Sequence, residues 1–149
     1  MSFDTIILAV IAVVYSVVCS VCDIKTKNVP NRILIAGIIL ILCCRFLLCY
    51  PISEQIACLI MAAITGLFYF FIRCITHGRL GRADVCFGLF QGAVLGNNLM
   101  AFFVCLMIEC VFSAVFFCII GKKAEKQEIP FIPFMSFGLI ISFLIYFVI

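Results

Sequence analysis

The sequence predicts an all-α polytopic membrane protein with about six transmembrane helices, formed by a single domain over residues 1–149. Two observations of composition support this prediction: 67% of the residues are hydrophobic, and only 11% are charged. A soluble fold of this size could not bury so much apolar surface, so the lipid bilayer must act as its solvent. The apolar residues also occur in stretches of about 20, the length that crosses a bilayer.

Six apolar stretches follow one another, with short polar connections between them. The first begins after Asp4 and lacks the basic segment and the cleavage site of a secretory signal, so we expect it to be retained as a helix. The fourth is the shortest, and little sequence is left for a soluble domain. The predicted spans are residues 5–22, 33–50, 55–76, 84–98, 99–120 and 131–149.

The lysine and arginine residues predict the orientation of these spans. Nine of the ten lie in or beside the first, third and fifth connections, and Arg45, at the far end of the second span, is the exception. Positively charged loops stay in the cytoplasm, so these connections are predicted to be cytoplasmic and both termini to lie outside. Because the basic loops are short, they indicate orientation, and no nucleic-acid partner is expected. The nine cations are Lys25, Lys27, Arg32, Arg73, Arg79, Arg82, Lys122, Lys123 and Lys126.

The 11 cysteines predict neither disulfides nor a metal site. Inside a span, a thiol acts as a small polarizable apolar group. Cys19 and Cys22 form one CxxC pair, but no second pair with ligand-like spacing follows, so structural filling is favoured over metal binding. His77 is the single histidine, which leaves no set of histidine ligands. No metal or cofactor is therefore expected.

Asp23 and Asp84 are the strongest candidates for a catalytic site. Asp23 ends the first span just before one basic connection, and Asp84 begins the fourth span just after another, so both face the predicted cytoplasmic boundary. Two carboxylates a few ångströms apart share one proton, so the pair could activate water and protonate a carbonyl oxygen without a metal. The alternative for Asp84 is a helix start, where a carboxylate accepts hydrogen bonds from free backbone N–H groups.

Three glycines follow Asp84 at intervals of four residues: Gly88, Gly92 and Gly96. Residues four apart lie on a slowly drifting face of a helix, and small residues there let a neighbouring helix approach closely. The fourth span is therefore expected to pack tightly through this face. If its neighbour is the first span, the two aspartates meet across the contact.

Glu109 is the other acid inside a predicted span. An ionised carboxylate there costs about 3 kcal/mol or more, so Glu109 is protonated, paired with an internal polar group or functional. We favour an internal pairing. A different class of function, a small transporter with Asp84 and Glu109 as relay acids, stays open at this point.

Two short segments next to spans each have two interpretations. Pro130 and Pro133 disfavour helix in the residues before them, so their segment either enters the sixth span as a rigid turn that walls the site or simply starts the helix. Asn31 follows Pro30, and its role could be no more than capping the second helix.

Three segments together resemble the type IV prepilin peptidases, the membrane aspartyl proteases that include the archaeal preflagellin peptidases. Asp23 followed by Val29-Pro30-Asn31 resembles the family's Asp and Ile/Val-Pro-Asn element. Gly81-Arg82-Ala83-Asp84 resembles its Gly-x-Gly-Asp element. Ile129-Pro130-Phe131-Ile132-Pro133-Phe134 resembles its Ile-Pro-Phe-x-Pro-Phe element before the last span. The order of the three segments also matches, so the resemblance covers nearly the whole chain.

The sequence departs from this family pattern at two positions close to Asp84. Ala83 stands in place of the second glycine, and Cys86 stands where many members have lysine. Without that lysine, Arg82 is the cation expected to tune the pKa of Asp84.

The resemblance implies that Asp23 and Asp84 are the catalytic pair of an endopeptidase in the prokaryotic inner membrane. The implied partners are membrane lipid and a prepilin-like substrate, which loses a short basic leader at the cytoplasmic face. Larger members carry an N-methyltransferase domain between the first two spans; here that connection runs only from residue 23 to residue 32, so methylation is not expected. An inactive assembly subunit of a pilus or secretion system is the alternative.

Overall fold

The computed structural model describes residues 3–26, 29–77, 80–96, 98–120 and 131–148. In these residues it contains six α-helices and no strand, which confirms the all-α prediction. The helices are α1 (Phe3–Thr26), α2 (Asn31–Leu47), α3 (Ile52–Ile75), α4 (Arg82–Leu95), α5 (Leu99–Ile120) and α6 (Ile132–Val148).

Three of the helices in the described part of the chain are long and apolar enough to cross a membrane. The prediction of about six was therefore correct for the number of helices and wrong in giving each one a spanning length. α2 and α6 have 17 residues each and α4 has 14. At 1.5 Å per residue these helices extend about 26 and 21 Å, less than the hydrocarbon core of about 30 Å. The three spanning segments are Asp4–Thr26, Ile52–Ile75 and Leu99–Phe116.

Proline and glycine set several of the helix boundaries. Pro30 and Pro51 occupy the N-cap positions of α2 and α3, where the N–H that proline lacks would have no partner within the helix. α4 ends at Leu95 because Gly96 has a φ of 58°, a conformation that glycine adopts without steric cost. The predicted fourth span, which extended to residue 98, was too long for this reason.

α4 lies at the centre of the bundle and contacts each of the other five helices. Phe87, Phe90 and Gln91 on α4 are fully buried. The outer helices instead expose large apolar side chains, such as Val14 on α1 (59% exposed) and Leu67 on α3 (67% exposed). Apolar residues on the outside and a polar residue at the centre are the arrangement expected in lipid.

The glycine face of α4 packs against α3. A Cβ atom on Gly92 would lie 2.6 Å from Thr65 Oγ1 and 2.7 Å from Ala62 Cα, and one on Gly88 would overlap the ring of Tyr69. The neighbour on this face is thus α3 rather than α1, and the glycines are not the contact that brings the aspartates together.

Gly96 differs from the other two glycines of the series. A Cβ atom there would lie 2.8 Å from Cys58 Sγ of α3 and 3.1 Å from a guanidinium nitrogen of Arg45 on α2. Gly96 therefore ends α4 and leaves space for the Arg45 side chain.

α1 contacts α4 through aromatic side chains. The rings of Tyr15 on α1 and Phe90 on α4 are 4.9 Å apart between centroids. Phe90 also contacts Phe87, one turn closer to Asp84, with centroids 5.4 Å apart. This apolar contact sets the separation of the two helices that carry the aspartates.

Candidate active site

Asp23 lies in the last turn of α1 and is only 5% exposed. Its Oδ2 atom accepts a hydrogen bond of 3.3 Å from the backbone N–H of Ile132. Ile132 is the first residue of α6, where N–H groups have no partner within the helix and the helix dipole is positive. The N-terminus of α6 therefore holds the Asp23 carboxylate.

Serine hydrogen bonds hold α1 and α6 together next to this contact. Ser20 Oγ donates to Ser136 Oγ at 2.6 Å, and Ser136 Oγ donates to the carbonyl oxygen of Ser16 at 3.1 Å. Ser20 precedes Asp23 by one turn, and Ser136 follows Ile132 by one turn. These bonds fix the register of the two helices and so the position of Asp23.

Asp84 is the third residue of α4 and is 6% exposed. Its Oδ2 atom accepts a hydrogen bond of 2.8 Å from the backbone N–H of Gly81, the N-cap residue. This contact is the helix-start interaction considered from the sequence, so Asp84 has that role in addition to its buried position. A Cβ atom on Gly81 would lie 3.0 Å from the same oxygen, so glycine leaves space there for the carboxylate.

The electrostatic environment of Asp84 is that of a buried acid with one acidic neighbour. Asp84 lies on α4, which is not one of the three helices of spanning length. Burial raises the pKa of Asp84 to about 7, against the opposing effect of the Gly81 hydrogen bond and the charge of Arg73. The negative charge of Asp23 adds to the rise. Two carboxylates that interact in this way titrate as a pair and share a proton.

The structure brings Asp23 and Asp84 together at one end of the bundle. The charge of Asp23 is close enough to raise the pKa of Asp84, and α1 and α4 are in contact. Asp23 lies at the end of α1, and Asp84 lies at the start of α4. Each carboxylate is also bound by the N-terminus of a helix, α6 for Asp23 and α4 for Asp84.

Arg73 belongs to this site, although the sequence marks it only as one of the cations of the third connection. It lies in the last turn of α3, and its guanidinium donates a hydrogen bond to the carbonyl of Leu80 in the connection to α4. Its charge lowers the pKa of Asp84. Arg82 was expected to have this effect, but it is exposed on the first turn of α4 and is not among the groups that shift the pKa of Asp84.

The Val-Pro-Asn element forms the start of α2. Pro30 is the N-cap residue, and its carbonyl oxygen accepts a hydrogen bond of 2.9 Å from the N–H of Ile33. Asn31 is the first helical residue and is exposed, and the α2 N-terminus has no side-chain capping hydrogen bond. The interpretation of Asn31 as the cap was therefore wrong. Val29 is fully buried in the core and anchors the connection.

The proline-rich segment starts α6, and the N–H group of its Ile132 binds Asp23, so the segment both begins the helix and contacts the aspartate. The carbonyl of Phe131 accepts hydrogen bonds from the N–H groups of Phe134 at 3.0 Å and Met135 at 3.3 Å. Pro133 is the second residue of the helix, where its missing N–H would have had no partner within the helix. Pro130 lies outside the described residues, as do Lys27, Arg79 and the basic residues of the fifth connection.

The remaining residues of the Gly-x-Gly-Asp segment lie on the first turns of α4. Ala83 and Cys86 are both half-buried. Ala83 directly precedes Asp84 within the helix, where alanine is a favourable residue. The substitution of alanine for glycine is thus compatible with the observed backbone.

Glu109 is paired inside the bundle, which confirms the favoured prediction for this residue. It is 2% exposed and accepts hydrogen bonds from the Tyr69 hydroxyl on Oε2 and the Gln91 amide on Oε1. The Cys105 thiol lies 3.2 Å from the same Oε1 atom. These side chains come from α3, α4 and α5, so the Glu109 carboxylate joins three helices.

Comparison with known proteins places the chain in a family. The model of the type IV leader peptidase family matches residues 9–121, which include Asp23 and Asp84. A prepilin leader peptidase/N-methyltransferase of Bacillus subtilis (strain 168) is 33% identical over 138 residues. The match covers 91% of this chain and 54% of the relative, so the chain spans about half the length of that protein. No solved structure gave a significant match.

Proposed function

The chain belongs to the type IV leader peptidase family, and we propose that it is an aspartyl endopeptidase that removes a short basic leader from prepilin-like precursors. The observation that carries this proposal is the buried pair of Asp23 and Asp84, with the charge of one acting on the other. A pair of acids enclosed at the end of a helical bundle is the arrangement that an aspartyl protease requires.

In the proposed reaction the pair carries one proton. The ionised carboxylate removes a proton from water while the water oxygen bonds to the scissile carbonyl carbon. The protonated carboxyl gives its proton to the carbonyl oxygen, which forms a tetrahedral diol. Collapse of the diol breaks the C–N bond: the leaving amine takes a proton from the protonated carboxyl, and one diol hydroxyl returns its proton to the other carboxylate, so the pair again holds one proton. The chemistry needs no metal or cofactor.

The two helix N-termini would orient the carboxylates for this reaction. The N–H of Ile132 binds Oδ2 of Asp23, and the N–H of Gly81 binds Oδ2 of Asp84. The other oxygen of each group is then the one that acts on water and substrate. We assign Asp23 and Asp84 catalytic roles and Gly81 and Ile132 positioning roles.

We place the aspartate pair at the cytoplasmic face of the prokaryotic inner membrane. Nine of the ten lysine and arginine residues lie in or beside the connections at that end, which supports this orientation. A precursor with an apolar helix would reach the site laterally from the bilayer, with its basic leader on the cytoplasmic side.

We propose cleavage without N-methylation for this chain. The Bacillus subtilis relative carries both names and is longer than the matched region. α1 ends at Thr26 and α2 begins at Asn31, so their connection has no space for a second domain.

The test is cleavage of a co-expressed prepilin-like precursor, followed by the size and the N-terminal sequence of the product. The unmodified chain should convert the precursor, whereas Asp23→Asn and Asp84→Asn should leave it intact at equal levels of membrane protein. Asp4→Asn, at the other end of α1, is the matched control and should process normally. Normal cleavage by both site variants would reject the aspartate pair. Failure of the unmodified chain to cleave would favour the inactive assembly subunit.

A further inference from the structure

A cavity of about 380 Å³ lies at the end of the bundle opposite the aspartates. Thr5, in the first turn of α1, and Leu95, in the last turn of α4, both line it. The aspartates lie in the last turn of α1 and the first turn of α4. The volume of the cavity falls within the range of about 300–1,000 Å³ that is usual for small-molecule sites.

Arg45 lines this cavity and is a buried cation with an unused hydrogen-bond donor. Its side chain is 6% exposed, and its Nε–H group has no hydrogen-bond partner in the part of the chain that the structure describes. The guanidinium carbon lies 4.7 Å from the centre of the Tyr50 ring, and the backbone of Gly96 leaves space beside it. Arginine is always protonated in proteins, and a buried charge with an unpaired donor is costly.

The fork of donors in a guanidinium matches the oxygens of a phosphate or a carboxylate. An anionic group in the cavity would therefore supply the partner that Arg45 lacks. Arg45 is also the one cation that the sequence places away from the basic connections, so its presence at this end is not explained by membrane orientation.

The other residues that line the cavity restrict the chemical class of ligand that it can bind. Glu54, in the first turn of α3, lines the same space and carries the opposite charge. A ligand of one sign would be attracted by Arg45 and repelled by Glu54, or the reverse, whereas a zwitterion satisfies both. Leu8 and Phe143 form part of an apolar wall that suits the glycerol and acyl region of a lipid. Thr5 and Glu54 lie in the first turns of α1 and α3, two helices of spanning length, and the ends of spanning helices lie at the depth of lipid headgroups.

We propose that this cavity binds the headgroup of a zwitterionic phospholipid, with its phosphate on Arg45 and its ammonium on Glu54. The site is separate from the aspartate pair and does not depend on protease activity. It joins the ends of α1, α2, α3 and α4, so a bound lipid stabilises the bundle at this end.

Purified full-length chain in detergent provides the first test, through its apparent melting temperature and its lipid adducts in native mass spectrometry. Dioleoylphosphatidylethanolamine should raise the melting temperature by about 4 °C or more. Dioleoylphosphatidylglycerol, which lacks the ammonium, should give a smaller rise, and dioleoylglycerol or inorganic phosphate should give none. An equal rise with dioleoylglycerol, or a full rise with inorganic phosphate alone, would overturn the lipid headgroup as the ligand.

Variants locate the site. Arg45→Gln should abolish both the temperature shift and the adduct, whereas Arg32→Gln, an exposed residue on the same helix, should keep them. Because loss of Arg45 could disturb folding, Glu54→Gln is the second variant: it should keep lipid binding but lose the preference for phosphatidylethanolamine over phosphatidylglycerol. An unchanged preference in Glu54→Gln, or a full lipid shift in folded Arg45→Gln, contradicts the proposal.

Discussion

The backbone N–H of Ile132 lies 3.3 Å from Oδ2 of Asp23 and connects two residues that are 109 positions apart in the sequence. The bond joins the end of α1 to the start of α6. In the proposed peptidase this amide orients one catalytic carboxylate. Because the donor is backbone, every substitution at residue 132 except proline keeps it, and the position of α6 becomes part of the active site.

The serine contact between α1 and α6 therefore bears on catalysis. Ser136→Ala should remove the hydrogen bonds to Ser20 and Ser16 and lower the cleavage rate constant with little change in KM, because this contact acts on the position of Asp23. Steady-state kinetics on a prepilin-like precursor measure this. Ser113→Ala on the exposed side of α5 is the control and should leave both constants unchanged. Equal losses in both serine variants would contradict the prediction.

Cleavage should depend on pH through the proton that the aspartates share. The pKa of Asp84 is raised to about 7 by burial, so the pair keeps its proton below that pH and loses it above. The acid that protonates the carbonyl oxygen is then missing, and the rate should fall as the pH increases through about 7. Initial rates between pH 5 and pH 9 in buffers of equal ionic strength test this. A rate that rises steadily to pH 9 would be inconsistent with a shared proton.

Arg73 should lower the pH at which the rate falls. Its positive charge lowers the pKa of Asp84, so Arg73→Gln should move the alkaline limb of the rate profile to higher pH. Arg82→Gln is the matched control, because Arg82 is exposed and should leave the limb in place. The comparison of the two profiles checks this. A larger displacement in Arg82→Gln would restore the role that the sequence suggested for that residue.

The contact between α3 and α4 should tolerate no side chain at residue 92. A Cβ atom there would lie 2.6 Å from Thr65 Oγ1 and 2.7 Å from Ala62 Cα. Since the latter is backbone, Gly92→Ala should destabilise the protein by about 1–3 kcal/mol, the usual cost of overpacking. Ala63→Leu adds a larger group on the exposed side of α3 and should have little effect. Apparent melting temperatures in detergent compare the two, and equal values would argue against the tight contact.

The hydrogen bonds of Glu109 should be replaceable by an amide but not by a hydrocarbon. In Glu109→Gln the side-chain oxygen can still accept a hydrogen bond from the Tyr69 hydroxyl. The new N–H group can donate one to Oε1 of Gln91, which has no hydrogen-bond partner in the described residues. Glu109→Leu leaves the Tyr69 hydroxyl without its acceptor and Gln91 with the Cys105 sulfur as its remaining partner, and it should cost about 1–3 kcal/mol for the unpaired hydroxyl. Thermal unfolding separates the variants. Greater stability of Glu109→Leu than of Glu109→Gln would show that the pairing is not stabilising.

The sequence was sufficient for the parts of this protein that depend on local composition. Apolar stretches predicted the six helices, and the motifs around Asp23 and Asp84 marked these two residues as the candidates for the site. Arg73 and the N–H of Ile132 could not be predicted, because each acts through a contact between helices that no local pattern records. The helix that packs on the glycine face of α4 could not be predicted for the same reason. A small residue indicates close packing but does not identify the helix that packs there.

The length of α4 was the other feature that the sequence did not predict correctly. The apolar stretch of the fourth helix looked like a span because its buried side chains are nearly as apolar as lipid-facing ones. The positive φ of Gly96 ends the helix at Leu95.

The enclosed position of α4 has a consequence for how this protein is made. α4 has 14 residues, it carries a buried glutamine, and its side chains contact protein on every side. Such a segment gains little from entering the bilayer alone, so its insertion depends on α2 and α3, which are synthesised before it and form most of its helix contacts. Asp23 is bound by the N-terminus of α6, the last of the six helices in the described residues, so an incomplete chain that ends before α6 would have no assembled active site.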